Sequence, residues 1–266
     1  MTEKPINGKA LYTPKGAAFE YGHIGCNFYT GCPHGCEYCY LKRGAPSKQL
    51  GGTDVKLKMV FKNEDDALSV FMLEVEKYKE RCQRDGIFFS FTTDPMIKET
   101  IKLTWQALWH CVMNDVPVWV LTKDANFVDE EMLLWDLTEV PIVKRKNVHF
   151  GFTLTGHDEM ELKASSNSLR ISAMNVLKEY GYSTFASIEP VIDWDSAERM
   201  VMWSIKYCDH YKIGLRSGVK KDYYAGQHTE ERVRGLVEFI EGHGKTVYLK
   251  RSVRRVLGIE NWPVSG

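Results

Sequence analysis

Three cysteines fall within eight residues, at Cys32, Cys36 and Cys39, in the stretch Asn27-Phe28-Tyr29-Thr30-Gly31-Cys32-Pro33-His34-Gly35-Cys36-Glu37-Tyr38-Cys39-Tyr40. The spacing is C-x3-C-x2-C, with one aromatic residue just before the last cysteine and another just after it. Three thiolates this close can grip one small metal centre, and four cysteines are the usual complement of a cubane cluster. Three ligands on four irons leave one iron open to a substrate or cofactor. A tetrahedral zinc site wants a fourth ligand. His34 could supply it, but it lies between Cys32 and Cys36, and no ligands at finger-like spacing follow. The plain alternatives are a structural zinc knuckle or three core cysteines. Buried cysteines are common, but core cysteines do not come as three in eight residues broken by Pro33 and Gly35.

The chain has 266 residues, enough for a large core in one domain or two. No run of about 18 apolar residues occurs, so no membrane span is expected. The first residues, Met1-Thr-Glu-Lys-Pro, lack the apolar core of a signal peptide. Seven cysteines is an odd count without the spacing of a disulfide framework, and a reducing cytoplasm fits it.

Lys and Arg number 35, as do Asp and Glu, so the whole chain is not a polyelectrolyte binder. Charge is uneven, however. From Lys212 onward there are eleven Lys/Arg against six Asp/Glu, with Lys250, Arg251, Arg254 and Arg255 clustered and Lys220 and Lys221 upstream. Such a cluster is either a solvated face or a surface that meets nucleic-acid phosphates.

Strand-like and helix-like periods alternate along the chain. Residues 21–28 read as a strand entering the cysteine loop, 41–53 as a Gly/Pro/Ser loop and 55–61 as an extended piece. Asn63 then caps a helix with Glu64, Asp65 and Asp66 in its first turn. Leu68, Phe71, Val75, Tyr78 and Cys82 form its buried stripe. Strands follow at Ile87–Phe91, Val118–Leu121, Val148–Leu154, Thr184–Ile188, Tyr211–Leu215 and Thr246–Leu249. Between them lie helices at 97–114, 128–138, from a Ser168 cap to a Gly181 stop, at 195–208, and from Thr229 to about Ile240. The segment 247–257 runs from strand into a short helix. This is βα repeated about six times plus an extra strand, which implies parallel strands with helices packed outside. A doubly wound sheet and an incomplete (β/α) barrel both satisfy the pattern. The cysteine loop follows the first strand, and barrel sites sit at the C-terminal ends of strands.

The cysteine motif resembles that of the radical S-adenosylmethionine (SAM) enzymes. The longer run N-x-Y-x-G-C-x-H-x-C-x-Y-C-Y, carried by Asn27, Tyr29, Gly31, His34, Tyr38 and Tyr40, resembles the spore photoproduct lyase and DNA repair photolyase-like branch. The resemblance implies an α/β fold: the partial (β/α)6 barrel of radical SAM enzymes, with an extra C-terminal strand and helix. On that reading residues 1–20 are an N-terminal extension, 21–216 the barrel core and 217–266 a C-terminal extension that completes or covers it.

Polar residues at the strand ends extend the resemblance. Thr93 and Asp94, in Ser90-Phe91-Thr92-Thr93-Asp94-Pro95, match a T-S-D-P-like segment that stands where other radical SAM enzymes carry G-G-E. Acceptors are needed there to orient the SAM amine; read plainly, Thr-Asp-Pro is a helix cap. Lys123, in a T-K pair, would meet the SAM carboxylate as a point charge. Arg170, in Ser165-Ser-Asn-Ser-Leu-Arg170, matches a P-S-x-x-x-R segment without its proline. It would reach the cofactor or a carboxylate, or else stand as a surface arginine. Glu189 closes a strand beside Pro190 and needs a partner, such as a ribose hydroxyl or a lysine. Tyr38 would lie near the adenine as a stacking ring. His149, His157 and His228 show no ligand spacing. Cys82, Cys111 and Cys208 read as core, and Cys26 is open between core and barrel interior.

The implied activity is reductive cleavage of SAM at a [4Fe–4S] cluster held by Cys32, Cys36 and Cys39. It gives a 5′-deoxyadenosyl radical that takes a hydrogen atom from a substrate, with an electron from a flavodoxin- or ferredoxin-like donor. The photoproduct lyase uses a cysteine just before its T-S-D segment to return a hydrogen atom; here that residue is Phe91. The substrate class therefore stays open between nucleic acid, for repair or modification, and a peptide, protein or small metabolite. A non-catalytic metal-binding protein is the third reading.

Overall fold

The computed structural model describes residues 3–43, 47–128, 137–220 and 222–259. Its strands, in chain order, are β1 (Leu11–Tyr12), β2 (Gly25–Cys26), β3 (Tyr29–Thr30), β4 (Lys56–Leu57), β5 (Ile87–Phe89), β6 (Val118–Thr122), β7 (Val148–Thr153), β8 (Ser183–Val191), β9 (His210–Leu215) and β10 (Thr246–Leu249). The main sheet runs β1-β2-β5-β6-β7-β8-β9-β10. From β2 to β10 every neighbouring pair is parallel, and only β1 is antiparallel, on the edge beside β2. Six parallel strands with β10 as a further one form the expected partial barrel, left open between β1 and β10 among the described residues. The central strands are apolar on both faces, as buried parallel strands must be.

The helices differ from the expected ones where a local rule prevails over periodicity. Asn63 caps the helix Glu64–Lys77 by accepting from the Asp66 amide at 2.8 Å, as expected. That helix stops at Tyr78, whose backbone leaves the helical region, and a second helix, Lys79–Asp85, carries the stripe on to Cys82. The expected strand 21–28 shrinks to Gly25–Cys26, and the expected helix 97–114 starts only at Ile101, after turns that hold Pro95 and Thr100. The cap expected at Ser168 is Ser166, which accepts from the Leu169 amide. The helix begins two residues early because Asn167 is buried and bonds Thr155 N at 3.0 Å and Asp158 Oδ1. Asp193 caps the helix Trp194–Ser204, again earlier than expected. Most of the expected helix 128–138 lies outside the described residues.

Segments at the two ends of the chain meet across the open side of the barrel. The short helical turn Gly16–Glu20 meets β9 and β10 through Glu20, which accepts from Lys212 and from the Tyr248 hydroxyl. Lys212 on β9 donates to the carbonyl oxygens of Glu20 (3.0 Å) and Tyr21 (3.1 Å). The Arg251 amide donates to the Glu20 carboxylate at 2.6 Å. Tyr21 reaches Ser187 on β8 with its hydroxyl, at 2.7 Å. No helix among the described residues is long and apolar enough to cross a membrane.

Candidate metal and cofactor site

The cysteine loop leaves the C-terminal end of β2 and is fastened on every side. Gly31 has a φ of 85° and lies so close to Asp54 that any Cβ would collide with its carbonyl oxygen, so only glycine fits. The Cys32 amide donates to Gly52 O (3.0 Å) and the Glu37 amide to Met160 O (3.1 Å). Asn27 bridges to the next strand end, accepting from the Phe91 amide and donating to the Tyr12 hydroxyl, both at 2.7 Å. Lys42 donates back to the carbonyls of Gly35 and Cys36.

His34 is committed to this scaffold. Its Nε2 lies 2.8 Å from Asp94 Oδ2 and its Nδ1 3.1 Å from Lys163 O. Both neighbours can only accept, so both ring nitrogens carry protons and neither is free for a metal. Burial alone would lower the His34 pKa, and the Asp94 carboxylate outweighs it and raises it. The fourth-ligand role considered for His34 is thereby removed. Among the described residues no three Cys, His, Asp or Glu side chains converge on one ion. That geometry is poor for tetrahedral zinc. It does not disfavour a cubane, in which each thiolate binds a different iron.

Cys32, Cys36 and Cys39 line one cavity of about 460 Å³ at the C-terminal ends of the strands. Burial pushes the Cys32 thiol up to about 12, and burial likewise raises Cys36. A bound cation would reverse this, since a coordinating thiol is deprotonated outright. Tyr38, Thr93, Asp94, Lys123 and Glu189 line the same cavity. Five of the six residues expected to contact a cofactor are thus brought together from the ends of β2, β5, β6 and β8.

Their individual environments differ. Thr93 Oγ1 is buried without a hydrogen-bond partner among the described residues, an acceptor held ready for a ligand. Asp94 is the opposite case. Its carboxylate accepts from His34 Nε2, Thr122 Oγ1 (2.6 Å), the Lys123 amide (2.7 Å) and the Met96 amide (3.0 Å). A carboxylate has about four acceptor sites, so none is left over. Burial would raise its pKa, but these donors hold it down to about 2. Asp94 therefore ties the ends of β5 and β6 to the cysteine loop instead of presenting an open acceptor. The Lys123 ammonium stands 5.5 Å from the centre of the Tyr38 ring.

Of the partners expected for Arg170 the structure gives the carboxylate, and neither the cofactor cavity nor the surface. Arg170 is fully buried, does not line the cavity, and pairs with Glu161 at 2.7 Å. Glu161 also accepts from the Tyr38 hydroxyl. A buried Tyr38–Glu161–Arg170 chain thus backs the cysteine motif from behind. Glu161 carries no motif in the sequence; the only signal was that a buried Tyr38 hydroxyl and Arg170 each need a partner. Cys82, Cys111 and Cys208 are buried in the core as expected. Cys26 is buried too, and its charged neighbours are Lys58 and Glu74, outside the cavity.

Glu189 sits where the β8–β9 register shifts between Ile188 and Val191, beside Pro190, which has no amide to give the ladder. The irregularity leaves Glu189 lining the cavity. Its lysine partner is Lys250, 2.5 Å away, and the Tyr21 hydroxyl donates to the same oxygen. This splits the C-terminal basic cluster. Lys250 is only 2% exposed and Arg254 lies 3.5 Å from Glu20, while Arg251 and Arg255 are exposed. The four cations do not form one surface patch. Lys221 lies outside the described residues.

Three thiols with no fourth protein ligand among the described residues, an orphaned acceptor at Thr93 and a cation at Lys123 fit an open-iron cluster and a SAM molecule beside it. Comparisons with solved structures agree on the fold. Spore photoproduct lyase complexed with a dinucleoside spore photoproduct superposes with a TM-score of 0.61 over 86% of this chain and 77% of that chain, at 14% identity. A variant of that lyase with bound AdoMet and the dinucleoside photoproduct matches with the same figures. SuiB of Streptococcus suis, bound to S-adenosylmethionine, matches with a TM-score of 0.53 over 83% of this chain at 13% identity, and the chain spans 44% of SuiB. The fold is an α/β partial barrel of mostly parallel strands that matches those structures. No protein-family profile matches the sequence, and no curated protein does.

Proposed function

We propose that this chain is a radical SAM enzyme. Cys32, Cys36 and Cys39 would hold a [4Fe–4S] cluster. Thr93 Oγ1 would accept from the SAM amine, Lys123 would pair with its carboxylate, and Tyr38 would pack beside its adenine. The observation that carries this reading is the shared cavity: the three thiols, the unpartnered Thr93 hydroxyl and Lys123 all line it. When bound, the two groups supply reductive cleavage of SAM to a 5′-deoxyadenosyl radical and hydrogen abstraction from a substrate. The protein contributes position and exclusion of water. Asp94 and His34 lock the cysteine loop to β5 and β6, and Glu161 fixes the Tyr38 ring. Phe91 lines the cavity where the lyase branch carries its hydrogen-donating cysteine, stacked on Phe88 at 4.6 Å, so a donor thiol is not part of this wall.

The substrate is proposed to be nucleic acid, with a peptide, protein or small metabolite as the alternative that the zero net charge favours. An external one-electron donor completes the scheme. Anaerobic reconstitution tests the cluster: about four irons and four sulfides per chain are expected for a cubane. Stoichiometric zinc without iron would overturn the reading. Thr93→Ala should weaken SAM binding in equilibrium dialysis while iron content stays at the wild-type level.

A further inference from the structure

The cavity has a second cationic position, on the far strand ends from Lys123. Its lining holds five lysine and arginine cations, Lys15, Lys42, Lys123, Arg216 and Lys250, and the protonated His34, against two carboxylates, Asp94 and Glu189. Both carboxylates are taken internally, by His34 and Lys250. An excess of four positive charges in a chain of zero net charge marks the cavity for an anion.

Three of the five cations are already placed. Lys250 is held by Glu189, Lys42 donates to the cysteine-loop carbonyls, and Lys123 stands over Tyr38. Arg216 differs. It follows the end of β9, and its backbone is pinned by the Tyr224 hydroxyl, which donates in turn to Val191 O at 2.6 Å. Its guanidinium lies 5.8 Å from the Tyr223 ring centre and reaches the Tyr223 hydroxyl only at 3.5 Å. Its Nε is buried with no hydrogen-bond partner, and no carboxylate pairs with it, among the described residues. A buried, unpaired donor on a fixed arginine is costly unless a ligand fills it. The guanidinium fork suits an oxyanion.

We infer that Arg216 anchors a phosphate group of the substrate at the mouth of the cavity. Tyr40, Phe91 and Tyr21 line the same space, and Tyr40, the exposed one of the three, is placed to meet a ring attached to that phosphate. The loop bearing Arg216 also meets the segment after the cysteine motif, where Arg43 donates to Ser217 O, so a phosphate held there lies at the rim of the cysteine cavity. The inference rests on the radical SAM reading only in calling the bound molecule a substrate; anion binding at Arg216 is separable from it.

The test follows the Arg216 Nε–Hε resonance of the whole protein, assigned by its loss in Arg216→Gln, during titration with inorganic phosphate, dimethyl phosphate, sodium acetate or SAM. Saturable shifts with inorganic phosphate or dimethyl phosphate are expected, and the stronger of the two tells a monoester from a diester. Arg216→Lys, which lacks that resonance, should bind the same phosphate about tenfold more weakly than wild type when both are titrated by isothermal calorimetry, the worth of a charge-assisted bond, with folding verified by circular dichroism. No saturable shift with either phosphate, or tighter binding of acetate, would overturn the inference. A shift with SAM alone would reassign Arg216 to the cofactor and overturn it too. Failure of the radical SAM reading shows separately, as absence of iron and of SAM binding in dialysis, whatever Arg216 does.

Discussion

Asp94 Oδ2 lies 2.8 Å from Nε2 of His34, the residue between Cys32 and Cys36, and the pair joins the end of β5 to the cysteine loop. Both side chains are almost fully buried. Replacing Asp94 with alanine lets burial return His34 to its neutral form and leaves the Thr122 hydroxyl and the Lys123 and Met96 amides without their acceptor, at about 1–3 kcal/mol for each buried donor left unsatisfied. It also frees the cysteine loop. Asp94→Ala is therefore expected to lower the midpoint of urea unfolding and to reduce iron incorporation as well as SAM affinity. Wild-type iron content with weakened SAM binding would instead make Asp94 a direct cofactor ligand.

Iron content should discriminate among six of the seven cysteines. Cys32→Ala, Cys36→Ala and Cys39→Ala should each lose the cluster absorbance after reconstitution. Cys82→Ala, Cys111→Ala and Cys208→Ala should keep it, because these side chains pack in the core and do not line the cavity.

The Glu161–Arg170 pair should show the asymmetry of a buried ion pair. Glu161→Gln leaves Arg170 charged and unpaired, at a cost of about 3–5 kcal/mol. The double variant Glu161→Leu/Arg170→Met should recover a large part of that loss. Unfolding midpoints of the single and double variants measure it, and simple additivity would contradict the pairing.

Lys212 gives a pH signature. Burial, and then the nearby charge of Lys250, pull its pKa down to about 8. Below that pH both folded and unfolded chains carry the proton, and folding bears the full cost of burying it. From pH 8 upward to the ordinary lysine value the unfolded chain binds more protons, so this group's contribution to stability rises with pH. Lys212→Met removes the group. Its stability relative to wild type should be best at or below pH 8 and fall, on the order of 2 kcal/mol, by pH 10. The carbonyls of Glu20 and Tyr21 that it orphans shift the curve equally at every pH. Denaturant unfolding of both proteins across that range checks the slope; a constant difference would contradict it.

The fold and half of the site were legible for one reason: the features that carry them are local. The strand–helix alternation and the C-x3-C-x2-C spacing are written in contiguous residues, and so is the placement of Thr93, Lys123 and Glu189 just after apolar strands. What escaped was the pairing of residues distant in sequence. Glu161 meets Tyr38 across 123 positions, and Lys250 meets Glu189 across 61. Lys250 was legible as a charge in a basic run but not as a side chain withdrawn into the barrel. Arg170 was legible as a helix-start arginine but not as a buried one. Asp94 was legible at the right strand end, but only the four donors around it show that its acceptor capacity is spent.

The most direct measurement is the product of SAM in anaerobically reconstituted, dithionite-reduced protein. The account predicts 5′-deoxyadenosine and methionine, lost together when Cys32, Cys36 or Cys39 is replaced by alanine. S-adenosylhomocysteine without 5′-deoxyadenosine, or intact SAM beside a fully loaded cluster, would contradict it.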